Sequence, residues 1–410
     1  MFNVLSGLRV IEGASFIAAP SCCLHLAQLG AEVIRFDTIG GGPDFGRWPV
    51  APNGASLYWE GLNKGKKSIA IDLTRPEGRN LATQLITAPG PSSGLFVTNF
   101  PADGFLAHDK LAAKRADLIT VRVMGWADGA TALDYTVNAA AGYPLMTGPV
   151  DDDKPVNHVL PAWDLLTGAY AAFALMAAER HRGLTGAGQE VRVPLGDIAI
   201  ATVGNLGQMA EVLIGGQDRP RVGNDLFGAF GRDFRTADGS SIMLVAITPR
   251  QWSGLLTSLG IGEAVAAVEQ ELGVSFAKDE VLRFQHRAKL FPIIEAAVAT
   301  RTVADMAGVF DSNGVCWDRY QSVRQAATQD ARFMTNPILS EINHPSGHRY
   351  RAPGAAATFT GLARNEPVRA PKLGEHTDEV LADVLGLGDQ DIAKLHDAKL
   401  VAGPKASNTR

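Results

Sequence analysis

One pattern constrains the architecture of this chain more than any other: an apolar run, a helix-length segment and a second apolar run follow one another at the start. Residues 8–12 form a short apolar run that reads as a strand. Pro20 suits the first turn of a helix and Gly30 suits its end. Residues 31–37 then alternate as a second strand. Strands joined through a helix run parallel, because only a crossover brings the chain back in the same direction. The pattern recurs. Arg75-Pro76-Glu77 opens a helix to Ala88, and residues 94–97 and 118–124 read as further strands. Roughly the first 150 residues therefore predict a doubly wound parallel sheet with flanking helices.

The longest helical pattern covers residues 164–182. It is apolar almost all round until Glu179, which predicts burial of most of its surface. Basic residues in its last turn complement the helix dipole. A glycine-rich turn at 183–189 leads into a strand at 190–193, and a second, small-residue helix follows at about 196–213. Near Gly215 the pattern changes: residues 232–236 and 241–247 flank Ala237-Asp238-Gly239, a hairpin signal, and helical stretches continue to about Asp330. Residues 336–371 are rich in Pro and Gly and read as a return linker. Residues 375–385 read as a terminal helix with Gly386 placed to end it, and 403–410 as a frayed tail. The expected organisation is the first part of a large domain at 1–214, a small domain at 215–335, and a linker and return to the large domain at 336–410. A chain of 410 residues suits two to three domains at roughly 150 residues each. No internal repeat is visible.

Composition narrows the function classes. The chain is 46% hydrophobic and 20% charged, too apolar for disorder. A net charge of −5 argues against a chain-wide nucleic-acid footprint. Three cysteines, Cys22, Cys23 and Cys316, make no disulfide framework, and the first two fall on an apolar helix face that reads as core. The start lacks a basic n-region, and Arg9 and Glu12 interrupt it early, so it does not read as a signal peptide. Residues 13–31 are free of Asp, Glu, Lys and Arg, but Pro20, His25 and Gln28 make them a turn plus helix and not a membrane span. A soluble cytoplasmic protein without membrane or nucleic-acid partners is expected.

The common site motifs are missing. The first turn, residues 13–18 (GASFIA), lacks GxGxxG. Gly40-Gly41-Gly42 is followed by Pro43-Asp44, so it is no phosphate loop and reads as a plain flexible turn. There is no HExxH, and no Cys/His cluster has metal spacing; Pro345 and Gly347 separate His344 from His348. There is no GxSxG elbow. One acid stands out. Asp164 follows Leu160-Pro161-Ala162-Trp163 and opens the most apolar helix. It reads first as an N-cap or first-turn carboxylate paired to the helix dipole, and otherwise as a nucleophile partly desolvated by Trp163. Spacing leaves both open.

Six segments, taken in order, resemble the family III CoA-transferases, the group of formyl-CoA transferase, carnitine CoA-transferase and α-methylacyl-CoA racemase. They are residues 5–12 (LSGLRVIE), 29–35 (LGAEVIR), 63–72 (NKGKKSIAID), 97–100 (VTNF), 185–189 (TGAGQ) and 374–378 (GEHTD). The resemblance implies an α/β fold with a large Rossmann-like domain on a parallel sheet, a smaller α+β domain, and an interlocked homodimer. It also implies that Asp164 is the catalytic nucleophile, since only Asp164 matches the family's aspartate ahead of the Thr-Gly-x-Gly-Gln turn. For the CoA site it implies Ile17, Arg35, Lys66, Lys67, Asn99 and Phe100, with Lys64 nearby. It implies no metal and no permanently bound cofactor, the CoA ester being the substrate.

A closer match, to the members that move CoA within one C5 diacid, is carried by residues 36–42 (FDTIGGG), 47–49 (RWP), 134–138 (DYTVN), 146–149 (MTGP), 157–164 (NHVLPAWD) and 228–234 (GAFGRDF). It implies mesaconyl-CoA or a related C5 acyl-CoA as partner. It also implies Arg47, Asp134, Gly228, Phe230, Gly231 and Arg232 at the substrate carboxylate or on the active-site loop, with Arg47 and Arg232 suited to bidentate carboxylate contact. Asp134 reads equally as a site residue and as a turn cap, while Trp163 and His158 read mainly as packing and structural groups. Two departures bear on the reaction. Leu133-Asp134 stands where the racemases have His-Asp, which removes one base of a two-base proton transfer. Residues 227–231 (FGAFG) stand where formyl-CoA transferase has four glycines and Gln, and the bulkier loop suits retention of one diacid. Transfer between two different acids, racemisation, and acyl-CoA binding without catalysis are the competing readings.

Overall fold

The computed structural model describes residues 1–90 and 92–404. The last six residues of the expected frayed tail lie outside the described residues. The chain forms two compact units. The first comprises 1–141, 158–211 and 335–410, and the second comprises 142–157 and 212–334.

The first unit is built on a seven-stranded sheet. Its strands are β1 (Arg9–Gly13), β2 (Glu32–Thr38), β3 (Lys67–Ile71), β4 (Leu95–Thr98), β5 (Ile119–Met124) and β6 (Gln189–Pro194), with the C-terminal strand Val401–Ala402 at one edge. The spatial order is 3-2-1-4-5-6, with Val401–Ala402 antiparallel on β3 and every other pair parallel. This is the dinucleotide-fold order, in which the direction of winding reverses between β1 and β4. The central strands are buried on both faces, as a sheet covered by helices requires, and most of their residues are apolar; of the buried charges among them, Arg35 pairs with Glu12 and Asp37. In register, Ile11 of β1 sits beside Ile34 of β2 and Phe96 of β4. Those three pack with Phe36, Ile69, Ile71, Leu81 and Leu85 into one core.

Other strand and helix boundaries depart from the sequence reading for local reasons. The helix expected at 164–182 runs from Ala162 to Thr185 and ends at Gly186, whose φ of 75° only glycine adopts readily. The small-residue helix breaks at Gly207 (φ 76°) into Leu195–Asn205 and Gln208–Gly215. β3 lies inside the NKGKKSIAID segment, where its charged start hides it. The stretch read as a return linker contains an antiparallel hairpin, Leu339–Asn343 with Arg349–Pro353. Cys22 and Cys23 are buried in the helix Ala18–Gln28, as their apolar face predicts.

The second unit carries a three-stranded antiparallel sheet, β7 (Phe230–Arg235), β8 (Ser241–Ala246) and β9 (Cys316–Arg319). β7 and β8 are the hairpin that Ala237-Asp238-Gly239 predicts. β8 alternates buried and half-buried residues, and its inward face joins Trp252, Phe276, Leu290 and Phe310 in a separate core. Among the described residues no single helix is long and apolar enough to cross a membrane.

Candidate active site

Asp164 stands two residues inside the helix Ala162–Thr185, in its first turn. The N-cap residue is Pro161, which supplies no side-chain hydrogen bond. The free N–H groups of a helix start need an acceptor, and here it comes from elsewhere in the chain. Asp134 Oδ2 accepts from the backbone N–H of Trp163 at 2.7 Å and of Asp164 at 3.0 Å. One turn further along its own helix, Asp134–Ala140, Asn138 Oδ1 accepts from the Trp163 indole N–H at 3.2 Å. His158 Nε2 lies 2.6 Å from Asp134 Oδ1. Two segments singled out by the closer resemblance, DYTVN and NHVLPAWD, are thus bonded to each other at Asp164.

The surroundings of Asp164 make it an unusual acid. It is half-buried. Burial and the negative charge of Asp134 push its carboxyl up to about 6, against the opposing pull of the Arg47 guanidinium. Arg47 is held over two rings, Phe16 at 5.3 Å and Tyr58 at 5.4 Å. The Tyr58 hydroxyl is buried without a hydrogen-bond partner, and its phenol is raised by burial, with the Asp44 and Asp164 charges adding to the rise and Arg47 opposing it. A carboxylate, a guanidinium and a free phenol therefore share one locale.

Beside it lies a crevice of about 550 Å³ at the carboxyl ends of β1, β2 and β4, where the winding reverses. Open α/β sheets bind ligands at this position. Ser15, Phe16, Asp37, Gly41, Gly42, Asn99 and Phe100 are among its walls. Asn99 spans the reversal: it accepts from Ser15 N–H at 3.0 Å and donates to Ser15 O at 2.7 Å. Phe16 has φ 70°, a strained value for a bulky side chain, of the kind that concentrates at functional sites. It lines the crevice and carries Arg47 on its ring, so it joins the crevice to the Asp164 locale. A second cavity of about 410 Å³, between Phe45, Trp59, Pro371 and Leu373, contains neither Asp164 nor Arg47.

The structure redistributes the other residues that the resemblance suggested. Ile17 is the half-buried N-cap of the Ala18–Gln28 helix, beside the crevice, and no side chain caps that helix. Arg35 is 1% exposed and makes ion pairs to Glu12 at 3.1 Å, Asp37 at 2.9 Å and Asp44 at 3.0 Å. Lys66 is buried against Glu12 at 2.7 Å, Pro20 O and Asn63 Oδ1. Neither cation is free to meet a phosphate; both neutralise acids inside the sheet frame. Lys67 is more open but pairs with Glu32 and Glu379. Lys64 is buried with its ammonium on Gly61 O, and burial, helped by the Lys66 charge, lowers it to about 8. Asp134 uses both oxygens within the protein, so it holds the helix start and not a substrate. Gly40-Gly41-Gly42 is not a plain turn, since Gly41 and Gly42 wall the crevice.

Gly228, Phe230, Gly231 and Arg232 belong to the second unit. Phe230 is 1% exposed in that unit's core, against Trp252 and Phe291, which removes its ring from substrate contact. Gly228 has φ 81° with open space around it, and a Cβ on Gly231 would stand 2.7 Å from Leu226 Cβ. Arg232 stacks on Phe291 at 4.8 Å and reaches Asp225 at 3.8 Å. Tyr58, Phe16 and Ser15 escaped the sequence reading. The βαβ start was the available signal for the last two, because it places the loop after β1 at the ligand crevice.

A crevice at the reversal point of the sheet, beside a helix-borne, raised carboxylate, is the arrangement of an α/β protein with a ligand site at the carboxyl edge of its strands. The chain belongs to CoA-transferase family III, whose model matches residues 5–377. It is 50% identical over 406 residues to 2-methylfumaryl-CoA isomerase of Chloroflexus aurantiacus, covering 98% of this chain and 99% of that one. It is 28% identical to succinyl-CoA:glutarate CoA-transferase of Mus musculus, over 95% of this chain and 88% of that one. A CaiB/BaiF family protein from Brucella suis shares the fold, with a TM-score of 0.75 at 24% identity over 94% of this chain and 100% of that one. The chain is an enzyme, and its substrate class is a CoA thioester.

Proposed function

We propose that the enzyme moves CoA between the two carboxylates of a single bound mesaconate (2-methylfumarate), converting 2-methylfumaryl-CoA to 3-methylfumaryl-CoA. The observation that carries this reading is the Asp164 locale: a half-buried carboxylate raised to about 6, with a guanidinium and an unpaired phenol beside it. The 50% identical Chloroflexus isomerase supports the substrate.

The chemistry follows in four balanced steps. The Asp164 carboxylate attacks the thioester carbonyl, and the C–S bond breaks to give a mixed anhydride and CoA thiolate. The thiolate attacks the aspartyl carbonyl, giving an aspartyl–CoA thioester and mesaconate. The other mesaconate carboxylate attacks that thioester and expels thiolate, which finally attacks the new mesaconyl carbonyl and frees Asp164. Covalent catalysis thus divides one exchange into easier ones. Arg47 pairs with the diacid's free carboxylate and Tyr58 donates to it, which satisfies both groups at once. The reversal-point crevice takes part of CoA, with Asn99 and Phe100 as wall and the Ile17 helix start at its edge. The working form is a homodimer in the cytoplasm.

Incubation of 2-methylfumaryl-CoA with enzyme and carbon-labelled free mesaconate tests the reading. Product without label supports retention of the diacid, whereas rapid incorporation of label establishes exchange between acids and defeats it. Mass spectrometry of the peptide holding residue 164, quenched during turnover, should carry the CoA thioester.

A further inference from the structure

The start of the Ala162–Thr185 helix is held from outside its own sequence. A helix start is ordinarily capped by the Ser, Thr, Asp or Asn just before it. Pro161 stands there instead, and Asp134, 2% exposed, takes the Trp163 and Asp164 N–H groups on one oxygen. Its other oxygen is held by His158 at 2.6 Å. Tyr135 stands edge-on to the His158 ring with centroids 5.7 Å apart, limiting its tilt. Asn138 anchors the Trp163 indole, so the residue before the nucleophile is fixed at backbone and side chain. A cap made by a neutral hydroxyl would serve the helix as well. A carboxylate does something further, because it sets a like charge next to Asp164.

We propose that Asp134 and His158 are positioning residues that act through Asp164: Asp134 fixes the backbone and charge environment of the nucleophile, and His158 fixes Asp134. The proposal rests on Asp164 being the nucleophile, as argued above. The charged and titratable groups that act on Asp164 are Asp134 and Arg47, with Tyr58 in the same locale and His158 reaching Asp164 only through Asp134. Arg47 meets the incoming carboxylate and favours the ionised acid. The Asp134 charge keeps that acid basic enough to attack a thioester, since nucleophilicity rises with basicity. Small misplacements of a reacting group cost large factors in rate, so a rigid cap belongs in such a site.

The test compares the intact enzyme with Asp134→Asn, His158→Phe and His158→Gln, reading kcat and KM across the pH range and unfolding temperature in parallel. Asp134→Asn removes the like charge, so the acidic limb of kcat/KM should move to lower pH by roughly half a unit to one unit. His158→Phe should lower kcat about tenfold with KM for the CoA ester within about threefold, because an interaction acting through the nucleophile is lost and binding is not. His158→Gln restores a neutral N–H donor to Asp134 and should recover most of that loss. Unchanged kcat and an unmoved limb, with only the unfolding temperature lowered, would overturn the proposal and leave a plain cap. Should Asp134→Asn not fold, the His158 pair decides alone. Turnover by Asp164→Ala would instead overturn the nucleophile reading itself.

Discussion

At the scale of single residues, a carboxyl raised by burial, as Asp164 is, is a local cost to stability, and that cost is measurable. The unfolded carboxyl titrates near 3.8 and the folded one at about 6. Between those values the folded chain holds a proton on Asp164 that the unfolded chain has lost. Stability from this group therefore falls as pH rises through that window and stays lost above it. Asp164→Asn, neutral at every pH, should abolish turnover yet stabilise the fold at pH 8 by about 1–2 kcal/mol, with the advantage vanishing near pH 4. Urea unfolding of both proteins at the two pH values checks this, and an Asn variant no more stable at pH 8 would contradict the electrostatic account. Asp164 stands out in the sequence because its position before an apolar helix and its place in a family pattern coincide. The burial of Arg35 and Lys66 was not legible because a sequence displays charge and not burial: both sit in family-like segments, and both turn inward to Glu12. Tyr58 was invisible because an aromatic in LYWEGL looks like packing until its hydroxyl is found buried and unpaired.

At the scale of elements, the position of Asp164 depends on how closely two helices approach. A Cβ on Gly168 would stand 2.0 Å from Ser21 Oγ and 2.6 Å from Ala18 O, and a backbone oxygen cannot swing aside. Gly168 lies one turn after Asp164, so the clash would tilt the helix that carries it. Gly168→Ala should cost about 1–3 kcal/mol by overpacking and lower kcat with it. Gly183, on the same helix with open space around it, supplies the control. Gly183→Ala should be neutral or stabilising by up to ~1 kcal/mol through helix propensity alone. Equal effects of the two substitutions on unfolding temperature and kcat would refute the close-approach argument. Periodicity made this helix readable, since its apolar surface repeats over many turns. The hairpin at Leu339–Asn343 and Arg349–Pro353 was not readable: its strands, LSEIN and RYRAP, are short, largely polar and half-exposed, and they lie in a Pro- and Gly-rich stretch. A half-solvated hairpin leaves no alternation to detect.

At the scale of the whole molecule, one face of the Ala162–Thr185 helix leaves large apolar side chains exposed among the described residues. Leu166, Tyr170 and Phe173 follow at spacings of four and three, which places them on one stripe, and Phe173 is 66% exposed. Tyr170 and Phe173 rings lie 5.9 Å apart, and Ile200 of the next helix is also exposed. Single exposed apolar residues are ordinary, but a contiguous aromatic stripe marks an interaction surface. The symmetric dimer is the commonest way for one chain to cover such a stripe. The enzyme should therefore sediment at twice the chain mass at micromolar concentration. Because the contact is apolar, raising salt should not dissociate it, whereas an ion-paired interface would weaken. Tyr170→Glu with Phe173→Glu buries two charges there and should yield single chains, while Leu184→Glu at the far end of the helix should leave the mass unchanged. The double variant should also lose turnover, since the stripe and Asp164 share one helix and freeing its outer face loosens the turn that carries the carboxylate. A fully active wild-type enzyme sedimenting as a single chain would remove the dimer from the proposal and leave the stripe to be covered by something else.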